Sequence, residues 1–177
     1  RWIQKYGKDT AFFATNDALI EPLIRRLLAY GGIFVEADLP TPFLGYPGAL
    51  GLDLSAEAGD YPAVIRKIEK AVIDSGGAGR FGVWTYSYGF SLSAGLGEYA
   101  KRVVEGTAAM GNLPDLYAAL GAFTPGAAWS GGQYVDEASG LVASNHVLVY
   151  MDTYVFGKGF LPSTKQKIPE KYRAITN

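Results

Sequence analysis

Phe12-Phe13-Ala14-Thr15-Asn16-Asp17 is an apolar run that passes without a break into helical spacing, and this junction most constrains the fold. Residues 10–15 are too few for a helix and rich in β formers, which predicts a buried parallel strand. Asn16 or Asp17 can then cap a helix in which Leu19, Ile20, Leu23, Ile24, Leu27 and Leu28 share one side, with Glu21, Arg25 and Arg26 off the stripe. Gly31-Gly32 stops that helix, and Ile33-Phe34-Val35-Glu36-Ala37 predicts the next strand. A β-α-β unit of this kind is parallel and right-handed.

The pattern recurs downstream. Residues 61–75 return to helical spacing, Phe81-Gly82-Val83-Trp84 predicts a third strand, and Thr85-Tyr86-Ser87-Tyr88-Gly89 leads into a helix over roughly 91–106. A further short helix is expected at 113–120. Between the second strand and residue 61 lies a long Pro/Gly-rich stretch, Leu39 to Gly59, which predicts a functional loop or a crossing. After the Gly/Pro-rich segment Gly121–Gly132, Gln133-Tyr134-Val135 and Leu141-Val142-Ala143 predict a hairpin around Asp136–Gly140. His146 to Val155 is the last strand candidate, and the tail from Lys158 is polar and basic. The expected class is α/β, a three-layer Rossmann-like open sheet, mostly parallel. The expected units are an α/β portion at 1–80 with the long loop, a crossing strand and helices at 81–125, and C-terminal strands and tail at 126–177.

Composition narrows the function. Among 177 residues the net charge is −1, which supplies no basic excess for phosphates, so nucleic acid is not an expected partner. The absence of cysteine excludes disulfides, zinc thiolates and Cys nucleophiles. No apolar run approaches the ~20 residues of a membrane helix. Trp2-Ile3-Gln4-Lys5-Tyr6 reads as the end of an uncapped helix, from which a preceding portion carrying any targeting signal is expected. The 12 Tyr, 9 Phe and 3 Trp suit either a core or a ligand cleft.

Two junctions carry the candidate sites. Thr15-Asn16-Asp17 places hydroxyl, amide and carboxylate groups beyond a strand's carboxyl end, where open α/β sheets bind ligands, although Asn and Asp also serve as plain N-caps. Trp84, Tyr86, Ser87 and Tyr88 occupy the equivalent place after the third strand, as an aromatic wall or as core. Tyr46, in Gly45-Tyr46-Pro47-Gly48, reads as an exposed perch on the long loop, suited to a ligand lid. A competing catalytic reading takes Thr-Tyr-Ser-Tyr-Gly as a nucleophile elbow, with Ser87, Asp136 and His146 in hydrolase order. Against it, Thr85 stands where the motif has glycine. His146, the sole histidine, is more often structural in a strand, and one histidine makes no metal cluster. Neither a P-loop nor a dinucleotide fingerprint occurs, and no cofactor is expected.

Phe12-Phe13-Ala14-Thr15-Asn16-Asp17-Ala18-Leu19 resembles the strand-turn-helix of type I periplasmic binding proteins. The longer string Tyr6–Asp17, with Gly45-Tyr46-Pro47-Gly48-Ala49-Leu50-Gly51, resembles the DUF3798 family of bacterial exported lipoproteins over roughly residues 6–105. These resemblances imply a fragment of a two-lobed solute-binding protein, extracytoplasmic and not itself an enzyme. Its ligand would be a small polar molecule held between lobes by Asn16 and Asp17, and its partners the membrane subunits of an ABC transporter. The long loop at 39–59 departs from the short connections of the sugar-binding members, so ligand identity does not carry over.

Overall fold

The computed structural model describes residues 1–37 and 42–162. The start of the predicted long loop, at Leu39–Thr41, and most of the basic tail lie outside the described residues. Helix α1 (Trp2–Tyr6) leads to β1 (Ala11–Phe12), α2 (Asp17–Tyr30), β2 (Ile33–Phe34) and α3 (Tyr46–Leu50). A 3₁₀ turn at Ser55–Glu57 follows, then α4 (Tyr61–Asp74), β3 (Gly82–Val83), α5 (Tyr88–Val104) and α6 (Leu113–Gly121). The chain ends on β4 (Trp129–Val135), β5 (Val142–Met151), β6 (Thr153–Val155) and β7 (Gly159–Leu161).

The helices form where apolar periodicity and capping agree. Asn16 accepts the Ala18 N–H at the start of α2, and Asp60 accepts the Ala63 N–H at the start of α4. Pro62 sits in the first turn of α4, where a missing N–H costs least, whereas Pro22 lies inside α2. The buried faces are Ile20, Ile24 and Leu27 on α2 and Ile65, Ile68 and Val72 on α4, each at helical spacing. The segment read as an irregular loop contains α3. Gly45 takes φ 81° there, and a Cβ on it would meet Ile20 Cγ2 at 2.6 Å and the Glu21 nitrogen at 2.9 Å. Glycine thus lets α3 approach the side of α2.

The expected sheet is corrected. β1 and β2 pair in parallel through two residues each, and a lone parallel bridge, Phe34 with Phe81, joins them to the start of β3. The remaining ladders are antiparallel: β3 with β6, β6 with β7, and β4 with β5. The molecule is therefore a small α/β structure with short antiparallel sheets, in place of a mostly parallel Rossmann-like open sheet. The physical cause is that each apolar run contributes only two laddered residues, and that returning C-terminal strands supply most of the pairing. Thr85 to Ser87 continue no ladder, and Asp152 interrupts the predicted His146–Val155 strand. The hairpin around Asp136–Gly140 is present, with both strands longer than its sequence signal: Trp129 pairs with Met151 and Val135 with Val142.

Two hydrophobic cores result. The first gathers buried side chains from Ala14 to Val83, with Phe156. The second gathers Trp84, Tyr86, Tyr99, Leu116, Ala119, Leu120, Ala127, Trp129 and Met151. The chain passes from one core to the other at Val83–Trp84 and returns at Met151–Asp152–Thr153.

Candidate functional site

The two passages between the cores lie side by side, because β3 pairs with β6 and places Val83 opposite Tyr154. β2 ends beside them, joined to Phe81 through Phe34. Polar side chains collect at this seam. The Thr153 hydroxyl donates to Glu36 Oε1 at 3.5 Å. The Met151 N–H donates to the Tyr88 hydroxyl at 3.2 Å. Asp152 is buried, and its Oδ2 accepts the Ala128 N–H at 3.2 Å. Thr85 is fully buried, and its hydroxyl has no partner among the described residues. An unpaired hydroxyl in such a place is uncommon and marks under-satisfied polar space.

Glu36 is the most perturbed carboxyl here. Burial pushes its pKa up to about 7, only partly opposed by the hydrogen bond from Thr153. Burial likewise raises the Tyr88 phenol, with the negative charges of Glu36 and Asp152 adding to it against the Met151 hydrogen bond. Among the described residues no cation forms an ion pair with Glu36 or Asp152. Perturbed groups clustered at strand ends between two packing units are a recurrent form of ligand site.

The sequence-predicted residues fall into three groups. Trp84, Tyr86, Ser87 and Tyr88 do lie at the seam, but they are largely engaged. The Trp84 indole N–H donates to the Ala37 carbonyl at 3.0 Å, the Tyr86 hydroxyl donates to the Pro125 carbonyl at 2.7 Å, and Ser87 caps α5. Thr15, Asn16 and Asp17 are exposed at the start of α2, where Asn16 acts as the cap. Tyr46 is the clear correction: it is fully buried, its hydroxyl donates to the Gly82 carbonyl at 2.7 Å, and its ring packs edge-on against Phe34 and Phe156. The cause is its place at the start of α3, which tucks under α2. The hydrolase trio is not brought together by hydrogen bonds. Ser87 Oγ accepts the Phe90 N–H, Asp136 holds Ser139 in its own turn, and His146 lies against the Tyr134 ring with centroids 5.3 Å apart.

Glu36 was missed because its signal was local only. It closes an apolar run, and its hydrogen-bond partner Thr153 stands far along the chain. No group of three His, Asp or Glu side chains able to hold a metal occurs among the described residues.

Fold and site together define an α/β chain with two cores and a polar seam where its passages cross. Two uncharacterized proteins of Treponema pallidum are similar to it. One, an uncharacterized protein of Treponema pallidum (strain Nichols), is 37% identical over 86 residues, covering 48% of this chain and 97% of that protein. Another from the same organism is 43% identical over 75 residues, 42% of this chain and 32% of that protein. The chain belongs to one family with the first of these relatives, and residues 1–82 match the model described as a protein of unknown function, DUF3798. A second family model matches residues 93–175. A crystal structure described as a "Putative transcriptional regulator" from Clostridium difficile 630 shares the fold with a TM-score of 0.69 at 21% identity. It covers 87% of this chain, and the chain spans 43% of that solved chain and about a third of the longer Treponema relative.

Proposed function

We propose that the protein binds a small polar solute at the seam between its two cores, for uptake or for sensing. The observation that supports this reading most is Glu36. It is a half-buried carboxyl without a cationic partner among the described residues, set beside Thr153, Tyr88 and Asp152 near the ends of β2 and β3. A ligand offering a donor to Glu36 would replace the hydration that burial removes. Tyr86, Ser87 and Tyr88 supply the adjoining polar-aromatic wall. The local likeness of Phe12–Leu19 to solute-binding proteins agrees with this reading. An extracytoplasmic lipoprotein that delivers its ligand to ABC transporter membrane subunits belongs to the same proposal.

The seam is closed around Trp84 and Thr85, so a ligand enters as the cores part about Val83–Trp84 and Met151–Asp152. No ligand contact is required of Tyr46. Thermal-shift screening of the folded protein against sugars, nucleosides, amino acids and small cofactors tests the proposal. A saturable upward shift with one class supports it. The absence of a shift with every class counts against it.

A further inference from the structure

Granted that the seam binds a solute, as proposed above, we infer that this solute is a small cation, a molecule carrying a protonated amine or a guanidinium group. Donors and acceptors are unbalanced at the seam. Its strongest donors are spent inside the fold: the Trp84 indole N–H on the Ala37 carbonyl, the Tyr86 hydroxyl on the Pro125 carbonyl and the Tyr46 hydroxyl on the Gly82 carbonyl. Its acceptors are not. Among the described residues, half-buried Glu36 takes a single long bond from Thr153, at 3.5 Å. Asp152 is buried, and the Ala128 N–H reaches its Oδ2 and leaves Oδ1. After burial, the charges of Glu36 and Asp152 both raise the Tyr88 phenol's pKa, so the two carboxylates share one neighbourhood.

Thr85 is a second and independent sign of a ligand. Its side chain is fully buried, and its hydroxyl meets no partner among the described residues. β3 and β6 pair with Gly82 opposite Val155 and Val83 opposite Tyr154, and the same register carried two residues further sets Thr85 against Asp152. An unpartnered hydroxyl and an incompletely paired carboxylate thus meet at one spot. An ammonium or guanidinium group brings several N–H donors and no acceptor, which is what Glu36, Asp152 and Thr85 lack. An anion would face two carboxylates, neither ion-paired among the described residues. The rings favour the same charge. Tyr88 lies 5.8 Å from Trp84 and 5.6 Å from Trp129 between centroids, and aromatic faces attract cations most strongly when desolvated. Burial lifts the Glu36 pKa to about 7, and a bound cation opposes that shift.

Calorimetric titration of the folded protein at about pH 8, where Glu36 is ionised, provides the test. Putrescine, agmatine and choline serve as cations, glycerol and ribose as neutral probes, and succinate as the anion. At least one cation is expected to bind saturably at one site, roughly tenfold or more tighter than any neutral or anionic probe. Glu36→Gln should weaken it roughly tenfold. Thr85→Val is close in shape and removes the unpartnered hydroxyl, so the thermal melt should hold or rise while cation binding falls several-fold. A merely structural Thr85 would leave the affinity unmoved. No binding by any cation, or cation binding indifferent to both substitutions, would overturn the inference. So would tighter binding of a neutral or anionic probe that Glu36→Gln weakens, and that result would leave the solute-binding reading standing. The solute-binding reading falls as well if no class in the thermal-shift panel binds either.

Discussion

The Trp84 indole N–H donates to the Ala37 carbonyl at 3.0 Å, joining the first side chain of the second core to the strand end of the first. Both groups are buried, so the bond serves as a bolt between the two packing units. Trp84→Phe removes the donor, strands a buried carbonyl and leaves part of the indole volume empty. Losses of about 2–4 kcal/mol follow from those two costs. Urea denaturation should show a lower midpoint with an unchanged slope.

Glu36 makes stability depend on pH in a direction opposite to most carboxylates. Its pKa is raised by burial from an ordinary 4.5 to about 7, so between these values the folded state holds the proton more tightly than the unfolded chain. Its favourable contribution is complete below about 4.5 and is lost as pH rises towards about 7. Asp53, Glu98 and Asp136, whose pKa values are lowered mainly by hydrogen bonds, act in the opposite sense and at lower pH. Glu36→Gln should therefore be more stable than the parent at pH 8, by about 1–3 kcal/mol. The two proteins should converge near pH 4.5. Denaturation midpoints across pH 4.5–8 provide the comparison.

Gly95 sets how closely α5 approaches α6. A Cβ there would meet Leu120 Cδ2 at 2.6 Å and Leu120 Cα at 2.8 Å, so even a methyl displaces the neighbouring helix. Gly95→Val is expected to cost about 1–3 kcal/mol by overpacking. Gly97 has nothing within 4 Å of the same position, so Gly97→Ala should be neutral or slightly stabilising. A pair of thermal melts separates the two.

The longer helices were legible in the sequence because each carries its own evidence, whereas the short α3 was read as loop. Ile65, Ile68 and Val72 repeat at helical spacing within α4, and Asp60 caps it from just outside. The sheet was less legible. Ala11–Phe12 and Ile33–Phe34 form the expected parallel pair, but the strands stop there, with Phe13 and Val35 exposed, and the direction of the other ladders depends on partners far away. β6 and β7, which complete the antiparallel ladder beside β3, follow it by about seventy residues. Tyr46 looked exposed because Gly-Tyr-Pro-Gly is also turn chemistry. Only Gly45 beneath Ile20 reveals that the segment folds inward. The polar-aromatic run at 84–88 lies where the chain passes between the two cores, although most of its polar atoms are engaged within the fold. Its most perturbed neighbour, Glu36, was not legible, since nothing within five residues foretells Thr153.

Solute binding at the seam is the central claim, and calorimetric titration tests it most directly. The strongest ligand from the thermal-shift panel is titrated into the parent protein and into Glu36→Gln, at one pH where both are folded. Saturable one-site binding to the parent, weakened roughly tenfold or more in the variant, is the predicted result, in line with loss of a charged or strongly accepting partner. Equal affinity of the two proteins would contradict the claim.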